Sequence, residues 1–192
     1  MKKRILLVNG NPKERSFTGA LANTYKVAAE ENYEIRYHQL AKMDFDPNLM
    51  TGYDTETELE EDLRDLQDSI LWSDHIVIFT PVWWGSVPAK LKGMFDRTFL
   101  PGFAFKYESG KSIPEKLLKN KSARIVLTMD TPPWYFRFFQ GAPALKQLKI
   151  ATLKFSGYTK IRHNLIGPIM GSNEEKQAKW LERVRLLGQK GQ

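Results

Sequence analysis

The chain has 192 residues, no cysteine and a formal net charge of +7. This length is typical of one domain with a substantial core, and we expect residues 1–192 to form a single domain. A chain without cysteine has no disulfides, thiolate nucleophile or cysteine metal ligands, which fits a cytoplasmic location. The sequence shows neither a signal peptide nor a run of apolar residues long enough to span a membrane.

The positive charge is concentrated in the last third of the chain. Residues 1–130 hold 18 Lys and Arg against 19 Asp and Glu, whereas residues 131–192 hold 11 against 3. Such a basic segment could serve anionic ligands, nucleic acid or an anionic membrane, or could form a solvated face. An acidic run lies in the first part of the chain: Glu56, Glu58, Glu60, Glu61 and Asp62. It has no nearby histidine and no metal-ligand spacing, so we interpret it as solvated and expect no metal site.

Apolar segments and periodic segments alternate along the chain. The apolar segments predict strands at residues 4–9, 33–40, 76–79, 123–129 and 159–165. The periodic segments predict helices at residues 18–31, 55–72, from 88 onward, 142–155 and 174–187. Residues 101–121 and 130–141 are predicted to be connections. This alternation predicts an α/β fold with a five-stranded parallel sheet in the order 2-1-3-4-5 and helices on both faces.

The stretch from Asp74 to Phe105 organises the rest of the chain. A buried strand leads into the turn Pro81-Val82-Trp83-Trp84-Gly85, and a helix is entered at Pro88. Two adjacent tryptophans cannot both point the same way, and the following glycine allows a ligand to approach the backbone. The turn therefore predicts a platform for a flat ligand. The alternative is that both tryptophans are ordinary core residues.

The loop after the first strand ends in Ser16-Phe17-Thr18, where a helix begins. Hydroxyl groups and free backbone N–H groups at a helix start favour a phosphate site, although Ser16 or Thr18 could also be a simple N-cap. Neither G-x-G-x-x-G nor G-x-x-x-x-G-K-[ST] occurs in the sequence, which disfavours an ordinary dinucleotide-binding dehydrogenase and a nucleotide triphosphatase.

Three loops should converge at one edge of the sheet, because they follow strands one, three and four. They are the hydroxyl loop, the Trp-Trp turn and the aromatic loop Asp130–Gly141. A phosphate site beside a slot for a planar ring is what a flavin mononucleotide portion needs. The sequence therefore predicts a flavin site at this edge.

Three motifs then point to one family. They are N-x-x-x-x-S-F-T from Asn11, P-x-W-W-G-x-x-P-A-x-L-K-G-x-x-D-R from Pro81, and P-G-F-A-F-x-Y from Pro101. Together they resemble the NAD(P)H:quinone oxidoreductase (DT-diaphorase-like) family of flavodoxin-like flavoproteins, over essentially the whole chain. The resemblance implies a bound flavin (FMN or FAD), NAD(P)H as co-substrate, a quinone-like acceptor, ping-pong hydride transfer and a homodimer.

The resemblance also implies roles for individual residues. The expected flavin-binding residues are Asn11, Ser16, Phe17, Thr18, Pro81, Val82, Trp83, Trp84, Gly85, Thr128, Met129, Asp130 and Thr131. Asn11 stands where relatives often have histidine, and Met129-Asp130-Thr131 stands where many have Thr-Gly-Gly. Tyr135 could be the catalytic tyrosine of the family. No histidine occurs between His75 and His163, so none is assigned as its partner.

The aromatic loop also predicts how an acceptor binds. Pro132 and Pro133 should stiffen the chain, so that Trp134 and Tyr135 are held at a defined angle against a flat acceptor. A hydrophobic lid or a dimer contact is the alternative, because the aromatics of residues 134–139 would form an apolar patch on a monomer. The acidic segment 54–68 and the basic last third could face each other across subunits.

Two other functions stay open. A flavodoxin-like electron carrier or regulatory subunit would act through a protein partner, although electron carriers of this kind are usually acidic. A nucleic-acid-binding module would use the basic last third together with Trp134 and Tyr135. We rank it last and expect no nucleic-acid partner, because those aromatics lie in the loop predicted to face the flavin.

Overall fold

The computed structural model describes residues 2–55, 58–108, 110 and 113–192, so Glu56 of the acidic run lies outside the described residues. Its main sheet is parallel and five-stranded, in the order β2-β1-β3-β6-β7. These strands are β1 (Arg4–Asn9), β2 (Glu34–Gln39), β3 (His75–Pro81), β6 (Ser122–Thr128) and β7 (Thr159–Ile166). In sequence order of the sheet strands this is 2-1-3-4-5, so the predicted fold is confirmed.

A short antiparallel pair lies outside the main sheet. It consists of β4 (Phe105–Lys106) and β5 (Glu115–Lys116). Both strands fall within residues 101–121, which were predicted to be a plain connection, and that prediction is corrected here. Two residues per strand are too few to show an alternating pattern in the sequence.

Helices cover both faces of the main sheet, so the middle strands are buried throughout. Every residue of β3 is buried, as expected for a strand in a parallel sheet. The helices are α1 (Phe17–Glu30), α2 (Glu61–Trp72), α3 (Ala89–Thr98), α4 (Pro133–Phe138), α5 (Pro143–Lys146), a π-helix (Gln147–Lys154) and α6 (Glu174–Gln189). Among the described residues, no helix combines the length and hydropathy needed to cross a membrane.

Each face of the sheet has its own hydrophobic core. On one face α1 and α6 pack on alternate residues of β1, β3 and β6, and Leu21, Tyr25 and Val184 are buried there. The two helices approach closely at Gly188, where a Cβ atom would lie 2.5 Å from the carbonyl oxygen of Tyr25. On the other face α2, α3, α5 and the π-helix pack on the intervening strand residues. Ala28 of α1 is buried as well.

Two predicted helices differ from those observed. The second begins at Glu61 rather than at residue 55. The carbonyl oxygen of Glu58, three residues before this start, accepts from the guanidinium of Arg97, which also binds the carbonyl oxygen of Asp46. The helix predicted over 142–155 is α-helical only for one turn and then becomes the π-helix. Its buried leucines, Leu148 and Leu153, are five residues apart, which suits i→i+5 hydrogen bonding.

Candidate active site

Three loops lie side by side at the carboxyl ends of β1, β3 and β6, which are neighbours in the sheet. We call residues 10–16 the first loop, 82–88 the second loop and 129–132 the third loop. Backbone hydrogen bonds connect them to adjacent strands: the N–H of Gly10 donates to the Phe79 carbonyl (2.7 Å), and the N–H of Val82 donates to the Thr128 carbonyl (2.8 Å). The predicted convergence of the three loops is therefore observed.

The first loop is folded by two asparagine side chains. The amide oxygen of Asn9 accepts from the N–H of Asn11 (3.2 Å), and the amide oxygen of Asn11 accepts from the N–H of Lys13 (3.0 Å). These turns direct the chain into α1, and they do not engage the backbone N–H groups that follow Lys13. In the described structure, the five consecutive N–H groups of residues 14–18 donate to no protein acceptor. Such a row of donors at a helix N-terminus can bind a phosphate.

Ser16, Phe17 and Thr18 use their side chains for the fold. Ser16 is the N-cap of α1, because its hydroxyl accepts from the N–H of Gly19 (3.1 Å), as the alternative interpretation expected. The Phe17 ring packs against Trp180 of α6, with ring centroids 5.9 Å apart. Thr18 is buried, and its hydroxyl lies 2.8 Å from that of Thr128 and 3.4 Å from the side-chain nitrogen of Asn11. These residues therefore offer mainly backbone donors.

The second loop is a tight reverse turn. Trp83 and Ser86 exchange two backbone hydrogen bonds of 2.9 Å, and the two residues between them have positive φ values, 52° at Trp84 and 75° at Gly85. Positive φ at both central positions is the geometry of a type I′ turn. Within the described residues, the N–H groups of Trp84 and Gly85 have no protein acceptor.

Both tryptophans of this turn are on the surface. The Trp84 side chain is fully exposed and Trp83 is 42% exposed, so the interpretation of both as core residues is wrong. Pro81 is buried at the end of β3, and Val82 packs against the core beneath the turn. The predicted platform is therefore available to a ligand, with hydrophobic support below it.

The third loop presents its backbone rather than its side chains. Met129 is buried in the core, and its N–H donates to the Ile166 carbonyl (3.0 Å). A carboxylate oxygen of Asp130 accepts from the N–H of Met170 (2.7 Å), so this side chain holds the loop before α6. In the part of the chain that the structure describes, the N–H groups of Asp130 and Thr131 have no protein acceptor.

The segment predicted to be an aromatic loop contains the helix α4, which corrects that prediction. Pro132 is its N-cap residue and Pro133 its first helical residue, a position that tolerates a missing N–H. Phe136 is buried and anchors the helix. Four exposed aromatics remain on its outer side, which we call the aromatic patch: Trp134, Tyr135, Phe138 and Phe139.

The rings of the aromatic patch pack on one another. Tyr135 and Phe139 are stacked, with centroids 5.2 Å apart and planes 9° apart. Trp134 meets both edge-on, at 5.8 Å from Tyr135 and 5.9 Å from Phe139. These contacts set the angle between the Trp134 and Tyr135 rings, whereas binding of a flat acceptor against them stays a prediction.

Sequence reasoning missed the groups that brace the second loop. The Ala144 N–H donates to the Gly85 carbonyl (2.9 Å), and the Ser86 hydroxyl lies 3.0 Å from the side-chain oxygen of Gln147. Both contacts come from the segment around α5, which no motif connects to the turn. Asn9 was also missed, although the pair Asn9-x-Asn11 before a helix could have indicated an Asx turn.

No histidine belongs to the three loops. His38 on β2 lies 3.0 Å from the Ser69 hydroxyl, His75 begins β3 at the opposite end of the sheet, and His163 lies within β7. Burial lowers the pKa of each. Across the described ranges, no three His, Cys, Asp or Glu side chains are close enough to hold a metal ion. The site therefore consists of backbone donors, hydroxyl groups and aromatic rings, which suit a phosphate and a flat ring.

Comparisons with known proteins agree with this geometry. A family model described as "Flavodoxin-like fold" matches residues 3–187. An uncharacterized NAD(P)H oxidoreductase of Haemophilus influenzae is 31% identical over 175 residues, which cover 85% of this chain and 83% of the relative. An FMN-dependent NADH:quinone oxidoreductase of Coprothermobacter proteolyticus is 30% identical over 148 residues, covering 68% and 72%.

Solved structures show the same architecture. A crystal structure of a Streptococcus mutans protein superposes with a TM-score of 0.84 and 27% sequence identity, covering 97% of this chain and 99% of the other. The similarity therefore extends over both chains almost completely, and includes the strands from which the three loops emerge.

Proposed function

Because the chain belongs to the flavodoxin-like family, we propose that it is a flavin-dependent NAD(P)H oxidoreductase that reduces quinones or similar flat acceptors. The observation that carries this proposal is the row of unpaired N–H groups at residues 14–18 beside the exposed Trp83–Gly85 turn. A phosphate and a planar ring are the two parts of a flavin nucleotide that these features suit. The names of the Haemophilus and Coprothermobacter relatives support the same reaction class.

Each loop has a proposed part in flavin binding. The first loop would hold the phosphate through the N–H groups of residues 14–18, with Asn11, Ser16, Phe17 and Thr18 shaping it. The ring would be held by the second and third loops, each with the strand end before it. The residues are Pro81, Val82, Trp83, Trp84 and Gly85 at the second loop, and Thr128, Met129, Asp130 and Thr131 at the third. Of these, Met129 and Asp130 would act through their backbone, because their side chains are engaged elsewhere.

The protein supplies position and electrostatics to this reaction. When bound, a flavin carries hydride chemistry between NAD(P)H and an acceptor in two half-reactions. The N–H groups of Trp84 and Gly85 are fixed by the reciprocal Trp83–Ser86 hydrogen bonds and by the contact from Ala144 to Gly85. Donors held in this way can stabilise negative charge on a ring edge without reorganising, which is preorganised electrostatic stabilisation. We propose FMN or FAD as the flavin, and the Coprothermobacter relative favours FMN.

A kinetic experiment tests the proposed reaction. The purified protein should oxidise NADH or NADPH when a soluble naphthoquinone is supplied, with parallel double-reciprocal plots typical of ping-pong kinetics. Trp84→Ala should lower this activity, whereas Tyr107→Ala, which alters another exposed aromatic, should not. If NAD(P)H is consumed only when a protein partner is added, then the chain is instead an electron carrier or a regulatory subunit.

We propose that the aromatic patch contacts the acceptor, with Tyr135 as the residue that assists the reaction. Stacking of a flat acceptor on Trp134 or Tyr135 would contribute about 0.5–1.5 kcal/mol per good contact. Trp134→Ala should therefore raise the KM for the quinone several-fold while the flavin stays bound, and Tyr135→Phe should lower kcat. If both variants keep wild-type kinetics, then neither residue belongs to the acceptor site.

We also propose a homodimer, in which contact of the aromatic patch with the partner is the alternative to its role in binding the acceptor. Four exposed aromatic side chains on one short helix form an apolar surface that a second copy could cover. Light scattering should then give twice the 22.2 kDa chain mass. A fully active species of 22.2 kDa would exclude the dimer while leaving the proposed reaction intact.

A further inference from the structure

A second recess lies at the opposite end of the sheet from the three loops. This basal cavity has a volume of about 330 Å³ and is lined chiefly by Lys3, His75, Ser122, Lys160, Arg162 and Lys190. Lys3 precedes β1, His75 begins β3, Ser122 begins β6, and Lys160 and Arg162 lie near the start of β7. Since all five sheet strands are parallel, these residues meet at the amino edge.

The side chains that line the basal cavity carry a net positive charge. Its described lining residues include four Lys or Arg and no Asp or Glu. Lys3 donates to the Gly191 carbonyl (2.6 Å) and Arg162 to the Gln192 side-chain oxygen (2.8 Å), both of which are neutral acceptors. Among the described residues, none of the four cations forms an ion pair. The charge of Asp74 acts on Lys3, but Asp74 is itself paired with Arg4 at 3.0 Å.

Lys160 lies at a β-bulge near the start of β7. Ser122 pairs with Thr159 and Ala123 with Ile161, so Lys160 is the extra residue of a β-bulge. Its φ of 46° is in the left-handed region, which is unfavourable for a non-glycine residue. Bulges are commonly found where a side chain must be redirected, often near functional sites.

A buried histidine lies beside the cavity. The Nδ1 atom of His75 lies 2.8 Å from the Ser122 hydroxyl, whereas its Nε2 atom has no hydrogen-bond partner in the described structure. The residue is only 4% exposed, so this nitrogen is not satisfied by bulk water.

We propose that the basal cavity binds the phosphate group of a small phosphorylated molecule. Cationic side chains from the residue before β1, from β7 and from the end of α6 converge on one recess, and this favours a compact polyvalent anion. Nucleic acid and membrane surfaces are instead met by charges spread along a face. The volume exceeds that of one phosphate group, so part of the molecule that carries the phosphate fits as well. This site is separate from the proposed flavin site and does not depend on it.

Calorimetric titration of the purified protein, with any bound flavin retained, tests this proposal. Inorganic pyrophosphate is the probe, and sodium chloride keeps the ionic strength constant. We expect saturable binding of one pyrophosphate per chain and a loss of at least about tenfold in affinity for both Arg162→Gln and Lys160→Gln. Both residues are exposed, so these variants should fold normally. Lys42→Gln removes an exposed lysine elsewhere and should bind as the wild type does.

Three results would overturn the proposal. The first is the absence of saturable binding at constant ionic strength. The second is binding that survives both substitutions, or that releases a chromophore from the protein, because the anion would then occupy the first loop. The third is tight binding of duplex DNA or anionic vesicles without binding of pyrophosphate. The cations of the basal cavity would then bind a macromolecule or a membrane surface instead of a small phosphorylated molecule.

Discussion

The hydroxyl oxygens of Thr18 and Thr128 lie 2.8 Å apart, in a buried hydrogen bond between residues 110 positions apart in the chain. Thr18 belongs to the first turn of α1 and Thr128 is the last residue of β6. The bond therefore fixes the distance between the first loop and the third loop. A ligand that needs its phosphate and its ring held together depends on this distance.

Thr18→Val and Thr128→Val should each lower the free energy of unfolding by about 1–3 kcal/mol, because each removes a buried hydrogen bond and leaves the remaining hydroxyl group with fewer partners. In a double-mutant cycle measured by urea unfolding, the double variant should cost less than the sum of the single variants. Both single variants should also retain less flavin. Thr24→Val is the control, since its hydroxyl bonds only to the Ala20 carbonyl within the same helix. Strict additivity of the two substitutions would contradict this role.

Replacing Trp84 in the second loop should make the protein more stable but less active. Its φ of 52° is unfavourable for a tryptophan, whereas asparagine tolerates this region well. Trp84→Asn should therefore raise the free energy of unfolding by about 1 kcal/mol and at the same time weaken quinone turnover. Gly85→Ala, at a φ of 75°, should be destabilising instead. Thermal unfolding checks both signs, and a less stable Trp84→Asn variant would refute the strain argument.

Arg97 should be the most important charged residue for stability. It is buried, and its guanidinium binds the Glu60 carboxylate (2.8 Å) and the carbonyl oxygens of Asp46 (2.6 Å) and Glu58 (3.2 Å). Arg97→Met should lower the free energy of unfolding by about 3 kcal/mol, since it leaves these acceptors without their donor.

Arg64 offers a matched control for Arg97, because it pairs with Glu58 at 3.1 Å on the exposed surface. Arg64→Met should change the free energy of unfolding by less than about 1 kcal/mol. Urea unfolding of the two variants under the same conditions gives the comparison. Equal losses for both would show that the buried contacts of Arg97 do not hold the 46–60 segment.

His75 should make stability depend on pH between about 3 and 6.5. Burial, followed by the charges of Lys3, Arg124 and Arg162, lowers its pKa to about 3. In this window the unfolded chain binds a proton that the folded chain does not, so the contribution is complete above pH 6.5 and is lost as the pH falls. The ordinary pKa of histidine is about 6.5.

Replacing His75 should therefore flatten the pH profile. His75→Asn should reduce the slope of unfolding free energy against pH by about 1.4 kcal/mol per pH unit in the middle of the window. Lys42→Gln, which removes an exposed lysine elsewhere on the surface, should leave the slope unchanged. Urea unfolding at several pH values measures it, and an unchanged slope in His75→Asn would show that His75 titrates normally.

The sequence predicted the sheet well because its strands have strong local patterns. The predicted and observed bounds of the first strand are identical at Arg4–Asn9. The third strand is a short apolar run, a pattern typical of a strand that is covered by helices on both faces of a sheet. The turn after it was also predictable, since two tryptophans and a glycine leave few alternatives. The predicted strand order then placed this turn beside the first loop.

The helical segments after β6 were harder to predict, for physical reasons. A helix of six residues such as α4 leaves too few turns to show a period, and two prolines favour a loop when the helix start is unknown. Each hydrogen bond of a π-helix spans five residues, whereas that of an α-helix spans four. In this sequence the five-residue spacing of Leu148 and Leu153 is the one indication of the difference. The Asp130 carboxylate accepts from the N–H of Met170, which lies 40 residues further along the chain. No local sequence pattern predicts such a contact.

The central claim is that the three loops hold a flavin. Its most direct test is the absorbance spectrum of the purified protein, together with the mass of the small molecule released on denaturation. We predict a flavin spectrum and the mass of FMN or FAD, at close to one molecule per chain, with less retained in Thr18→Val than in Thr24→Val. A colourless protein that also fails to bind added FMN and FAD would contradict the claim.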